Sequence, residues 1–212
     1  VAIVLVTIFS VIALSLSLLV SVPTFGISLV LIALIFWYDK YLKNTQAGPF
    51  TIAAARVMNV MLGTSASLSA IESFPQFVIL VFVLTITFVY VSLIGFISKY
   101  EVQGFSENIK LYLIPVIIAG IISSIMLFAF IGFFKYESLI ILGLFLFIMV
   151  KAVYRIQKKD SIGIQQCIQK MIMSIIVLDS TYLSGLRGLE VGLAVLLLIA
   201  PLLILSRKMY MT

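Results

Sequence analysis

Histidine is absent from the 212-residue sequence, and cysteine occurs once, at Cys167. Without histidine there can be no imidazole metal site, no Ser-His-Asp triad and no imidazole acid–base chemistry. A single cysteine also excludes a disulfide framework within the chain. Charged residues make up only 10% of the sequence, whereas 63% of it is hydrophobic. No soluble core could absorb so large an apolar share, so the composition indicates a membrane protein.

Apolar stretches of about 20 residues, each long enough to cross a bilayer as a helix, follow one another along the sequence. Short segments with proline, glycine or charged residues separate them. We therefore predict an all-α, polytopic membrane helix bundle that forms one domain over residues 1–212. The bundle is predicted to have about eight transmembrane helices, at residues 1–21, 26–43, 48–69, 74–98, 108–132, 137–155, 163–185 and 188–206.

The sequence opens at Val1 in the middle of an apolar stretch, without the basic region that begins a signal peptide. We therefore expect the natural protein to continue upstream of Val1.

The basic residues predict an orientation. The formal net charge is +6, which in a membrane protein points to topology signals and not to a nucleic-acid partner. If the predicted spans alternate in direction, one side of the membrane receives only Lys135 and Arg187. The other side receives Lys40, Lys43, Lys99, Lys110, Lys151, Arg155, Lys158, Lys159, Lys170, Arg207 and Lys208. The positive-inside rule makes the richer side cytoplasmic, together with both visible ends of the chain.

The third predicted helix carries polar residues at membrane depth. Arg56, Asn59 and Gly63 are three and then four residues apart, so they share one helix face. Counted from the start of that helix, Arg56 and Asn59 lie about 12 and 16 Å below the cytoplasmic surface. An arginine inside a membrane is costly, and it normally faces protein or water.

Three polar clusters are predicted to meet at the same cytoplasmic mouth. They consist of Tyr38, Asp39 and Lys43, of Arg56 and Asn59, and of Lys99, Tyr100, Glu101 and Gln103. Together they predict a polar cavity with an excess of cationic donors, surrounded by apolar walls. Arginine and lysine suit an anionic headgroup, and the walls suit a long lipid tail. An amphiphilic phosphate ester meets both demands.

The same residues carry a family resemblance. The pattern Tyr38-Asp39-x-x-Leu42-Lys43, then Gly48-Pro49 and Arg56-x-x-Asn59-x-x-x-Gly63, resembles the middle of UbiA-type intramembrane prenyltransferases, and most closely a divergent EboC-like branch. The resemblance continues in Ser98-Lys99-Tyr100-Glu101, in Val177-Leu178-Asp179-Ser180 and in the closing Tyr210-Met211-Thr212.

That resemblance implies an all-helical bundle in which two Asp-rich motifs hold Mg²⁺ and an isoprenoid diphosphate. Tyr38 and Lys43 would approach the diphosphate, and Glu101 stands where the second motif is expected. By the same resemblance, we expect the first motif and two further helices to precede Val1. The implied activity is transfer of the prenyl group to an acceptor.

Simpler interpretations remain open for these residues. Tyr38 and Lys43 would also suit interfacial anchors, and Asn59 could bond between helices. Glu101 could be a solvated partner of Lys99.

Two functions follow from the sequence, with a third class less favoured. The first is UbiA-like prenyl transfer, and the alternative is a non-catalytic protein of the same fold that binds or transports a lipid or an isoprenoid metabolite. A small-solute transporter would predict repeated halves or paired broken spans, and the sequence has neither.

Overall fold

The computed structural model of the chain describes residues 2–65, 73–103, 108–156 and 161–201. These ranges are helical almost throughout and contain no strand, which confirms the all-α prediction. Their α-helices are α1 Ala2–Val20, α2 Val22–Trp37, α3 Gly48–Ser65, α4 Phe74–Gln103, α5 Asn108–Phe130, α6 Ser138–Ile156, α7 Ser161–Arg187 and α8 Leu189–Leu196. A five-residue π-helical turn, Tyr38–Leu42, continues α2.

Five helical segments of the described ranges are long and apolar enough to cross a bilayer, so the protein is an integral, multi-pass membrane protein. They are Val22–Leu42, Phe74–Lys99, Leu113–Phe130, Ser138–Ile156 and Ile162–Arg187. Two further apolar segments, Leu5–Val20 and Leu189–Pro201, are shorter. Helix α3 belongs to neither group, since Arg56, Asn59 and its many small residues make it less apolar. The predictions of eight transmembrane helices and of a polar cavity that opens to the cytoplasm stay predictions.

Helix α2 begins four residues earlier than the sequence predicts, because Pro23 opens this helix. Ser21 is its N-cap residue, with an extended backbone (φ −169°, ψ 159°), and its Oγ accepts the Thr24 N–H at 3.2 Å. Proline lacks an N–H, and the first turn of a helix is where that loss costs least.

The chain forms two compact units, Val1–Gly95 and Phe96–Thr212, with the boundary inside α4. We call them unit 1 and unit 2. The prediction of a single domain stays untested. In unit 1, α2 packs against α1 and α3. The first turn of α3 meets α4 closely, since a Cβ atom at Gly95 would lie 2.9 Å from the Cα of Pro49.

In unit 2, α6 packs against α5 and α7, and α7 packs against α8. The α7–α8 contact is close because Gly192 has no side chain: a Cβ atom there would lie 2.7 Å from Ile141 Cδ1 and from Ser184 Cβ. Ser180 Oγ donates a hydrogen bond to the Gly192 carbonyl oxygen at 2.6 Å. Helix α8 therefore lies tightly against the α6–α7 pair.

Candidate functional site

The corner between α2 and α3 brings the first predicted cluster against the start of α3. The Lys43 N–H donates to the Tyr38 carbonyl oxygen at 2.8 Å, five residues back, so the last turn before the corner is wider than an α-helical turn. The backbone N–H and the hydroxyl of Thr45 both donate to the Leu42 carbonyl oxygen at 2.9 Å. These bonds satisfy backbone groups that the end of a helix leaves open.

Gly48 makes this corner possible. It is buried, and a Cβ atom at this position would lie 2.7 Å from the Leu42 carbonyl oxygen and 3.1 Å from that of Lys43. Any other residue would push the π-helical turn away from the start of α3. The close approach to these carbonyl oxygens therefore explains why the first residue of the Gly48-Pro49 motif is a glycine.

The charged side chains of the corner point outward. Asp39 and Lys43 are exposed, and neither forms an ion pair with a described residue. Lys40 Nζ lies 5.6 Å from the ring centroid of Phe36 and 5.1 Å from that of Tyr41, both of which are exposed. Such exposed aromatic and cationic side chains are typical of a membrane interface. Lys43 is thus the lysine of this corner that remains open to a ligand.

Arg56 lies deeper in unit 1 on an unbroken α3. Eight residues separate it from Gly48, which corresponds to about 12 Å along the helix axis. Its side chain is half-buried, and its Nε atom is buried. Asn59 and Gly63 are exposed, whereas Ala53, one turn before Arg56, is fully buried. Arg56 therefore lies at the border between the packed and the exposed sides of α3.

The third predicted cluster lies at the end of α4. Lys99 is half-buried there and belongs to unit 2. Helix α4 continues through Tyr100 and Glu101, but their side chains lie outside the described residues. The predicted meeting of this cluster with the two clusters of unit 1 stays a prediction.

The described residues do not fit the Mg²⁺ site that the resemblance implies. They contain no group of three His, Cys, Asp or Glu residues able to hold a metal ion. Asp39 is the only carboxylate among the described residues of unit 1. One exposed carboxylate is by itself a poor ligand set for Mg²⁺, because substrate phosphates or further carboxylates have to complete the coordination.

A chain of hydroxyl groups that was not predicted from the sequence joins α2 to α3. Thr24 Oγ1 lies 2.7 Å from Ser21 Oγ and 2.9 Å from Ser65 Oγ, 41 residues away along the chain. Ser28 Oγ bonds the Thr24 carbonyl oxygen at 2.9 Å. The three- and four-residue spacing of Ser21, Thr24 and Ser28 was the available signal, since it places polar groups on one face of an apolar helix.

No family model, curated protein or solved structure matches this chain. The UbiA-like identity therefore stays a prediction that rests on the short motifs alone.

Proposed function

We propose that unit 1 binds an anionic isoprenoid or a related lipid at the α2–α3 corner. The observation that carries the proposal is the placement of two cations at different depths of one helical hairpin. Lys43 is exposed at the corner, and half-buried Arg56 lies about 12 Å along α3 from Gly48. Asp39 is the only described carboxylate nearby in the sequence, so positive charge prevails at this corner.

This arrangement suits a diphosphate headgroup attached to a long apolar tail. The guanidinium of Arg56 can contact phosphate oxygens in pairs, whereas Lys43 acts as a point charge. The contact of half-buried Arg56 gains strength where apolar helices exclude water. The exposed apolar side chains of α1 and α2 form an apolar surface along which the tail can lie.

Prenyl transfer in a UbiA-like protein is the second candidate, and the π-helical turn Tyr38–Leu42 favours it, because such turns occur frequently at functional sites. In this reaction the bond between the allylic carbon and the diphosphate oxygen breaks, the diphosphate leaves with the electron pair, and the carbon bonds to the acceptor, which loses a proton. Tyr38, Lys43 and Arg56 would hold the leaving group. In the same proposal the positive-inside rule places the corner on the cytoplasmic side.

The test is the binding of geranylgeranyl diphosphate to the purified full chain in detergent, measured by calorimetry. We expect Arg56→Leu to weaken binding roughly 10- to 100-fold, as the loss of a charge-assisted contact implies. Arg187→Leu, which removes an exposed arginine of unit 2, is the matched control and should leave binding unchanged. Circular dichroism and membrane insertion verify that both variants fold. Unaltered binding by a folded Arg56→Leu variant would refute the assigned site.

A second arm separates the two candidate functions. The same protein is incubated with geranylgeranyl diphosphate and a membrane lipid extract, with and without Mg²⁺, and released diphosphate is measured. Release that depends on the protein supports prenyl transfer. Binding without release supports the non-catalytic lipid-binding function.

A further inference from the structure

Unit 2 carries a group of basic side chains that the proposed function does not use. Lys151 and Arg155 are one turn apart on α6, and the charges of both act on Lys170 across the α6–α7 pair. Arg155 and Lys170 are half-buried, whereas Lys151 is exposed and its Nζ lies 4.0 Å from the ring centroid of Phe147. We call Lys151, Arg155 and Lys170 the basic cluster.

Nothing described in the structure neutralises this cluster. None of its three members forms an ion pair with a carboxylate of the described residues. Like charges that lie close together repel one another, and the repulsion grows where apolar surroundings lower the effective dielectric constant. An anion placed among the three side chains would turn this repulsion into attraction.

An apolar groove of about 290 Å³ lies between α5 and α6, in the same unit as the cluster. Pro115 and Ala119 line it from α5, and Leu146, Val150 and Tyr154 line it from α6. This volume is close to the lower end of the roughly 300–1,000 Å³ that is common for ligand pockets. It is therefore suited to part of one acyl chain.

The α6 residues of the groove and of the cluster follow one another in the sequence. Lys151 directly follows Val150, and Arg155 directly follows Tyr154, so each cation of α6 adjoins a residue that lines the groove. Successive residues of an α-helix point about 100° apart around its axis. The outer surface of α6 thus passes from the apolar groove through Lys151 to Arg155, and from there to Lys170 on α7.

We infer that unit 2 holds an anionic phospholipid, with its phosphate at the basic cluster and one acyl chain in the α5–α6 groove. Basic pockets between membrane helices bind anionic headgroups, and lysine and arginine stems extend along apolar surfaces to reach them. This site shares no residue with the α2–α3 corner, so its test is independent of the proposed function.

The experiment is native mass spectrometry of the full chain with added phosphatidylglycerol and with phosphatidylcholine of the same acyl chains. We expect the wild-type protein to retain one phosphatidylglycerol in preference to phosphatidylcholine. The double variant Arg155→Gln/Lys170→Gln should reduce this preference roughly 30-fold. Each basic residue near an anionic lipid surface strengthens binding about fivefold, and the variant loses two of them. Lys135→Gln/Arg187→Gln loses the same charge elsewhere in unit 2 and should keep the preference.

The groove is tested separately with the same probe. Ala119→Trp fills the groove from α5 and should reduce retention of phosphatidylglycerol. Val116→Trp is the control: it adds the same ring at an exposed position of α5 that does not line the groove, and it should leave retention unchanged. Inorganic phosphate at millimolar concentration should not displace the lipid, because it lacks the acyl chain. Equal retention of the two lipids by the wild-type protein, equal losses in the two double variants, or displacement by phosphate would each overturn the inference.

Discussion

In unit 1 the buried residues of α2 are Thr24 and Ser28, whereas in unit 2 helix α6 buries Ile141, Phe145 and Met149 among other apolar residues. The α2–α3 contact of unit 1 thus uses hydroxyl hydrogen bonds, whereas the contacts of α6 in unit 2 use mainly apolar packing. Hydrogen bonds between membrane helices contribute little each, about 0.6 kcal/mol on average. A single substitution should therefore change the stability less at the α2–α3 contact of unit 1 than at the contacts of α6 in unit 2, and the proposed ligand-binding corner lies in unit 1.

The largest expected effect is that of Gly192→Val in unit 2. Its side chain would overlap Ile141 and Ser184, and it would also approach the Ser180 carbonyl oxygen, which lies 3.0 Å from the position of a Cβ atom. We expect the free energy of unfolding to fall by about 3 kcal/mol, the upper end of the usual cost of overpacking. Titration with sodium dodecyl sulfate in mixed micelles measures this free energy.

Gly143→Val is the matched control, because a Cβ atom at Gly143 meets nothing within 4 Å. Its free energy of unfolding should change little. If both variants lose the same stability, close packing of α8 is not what stabilises unit 2.

Gly48→Ala should have an intermediate effect, located in unit 1. The added Cβ atom would overlap the Leu42 carbonyl oxygen, so the π-helical turn has to move. We expect the free energy of unfolding to fall by about 1–2 kcal/mol. Binding of geranylgeranyl diphosphate should weaken too, because Tyr38 and Lys43 move with the turn. Calorimetry and hydrogen–deuterium exchange of residues 38–48 measure the two effects.

Gly26→Ala on α2 controls for the change of residue type, since its Cβ atom meets nothing within 4 Å. Alanine favours a helix by roughly 0.5–1 kcal/mol over glycine, so this variant should gain stability. A Gly48→Ala variant that also gains stability would contradict the steric account of the corner.

The smallest expected effect is that of Thr24→Val, which removes the middle of the hydroxyl chain between Ser21 and Ser65. We expect a loss of about 0.6 kcal/mol in the free energy of unfolding, the average for such bonds in membranes. Ser15→Ala is the control, because its exposed hydroxyl bonds only to Val11 on its own helix. A loss as large as that of Gly192→Val would remove the contrast between the two units.

The sequence predicted the existence and type of the helices well, because runs of apolar residues carry that information locally. It placed the start of α2 wrongly, since the same Pro23 can end one helix or open the next, and Ser21 decides which by capping. It predicted one helix over 188–206, whereas α8 ends at Leu196 and a turn follows. Such ends depend on packing and are poorly encoded locally.

The candidate site was less predictable than the fold. Spacing alone placed Arg56 and Asn59 on one face of α3, and the unbroken helix bears this out. The π-helical turn was not foreseen, because it depends on Gly48 approaching two carbonyl oxygens from another helix. Spacing within one segment also says nothing about whether Lys99 meets Arg56. That information lies in tertiary contacts.

The loop between α5 and α6 has a consequence for the order of assembly during synthesis. Glu137 Oε2 accepts the backbone N–H of Leu189 at 2.7 Å, across 52 residues of sequence, and Gly188 turns the chain there with a φ of +114°. Because a ribosome makes Glu137 first, the carboxylate is already present when the beginning of α8 emerges. Docking of the last described helix therefore completes a contact prepared earlier in translation. A nascent chain that stops before Leu189 leaves this carboxylate without that partner, which distinguishes an unfinished unit 2 from a finished one.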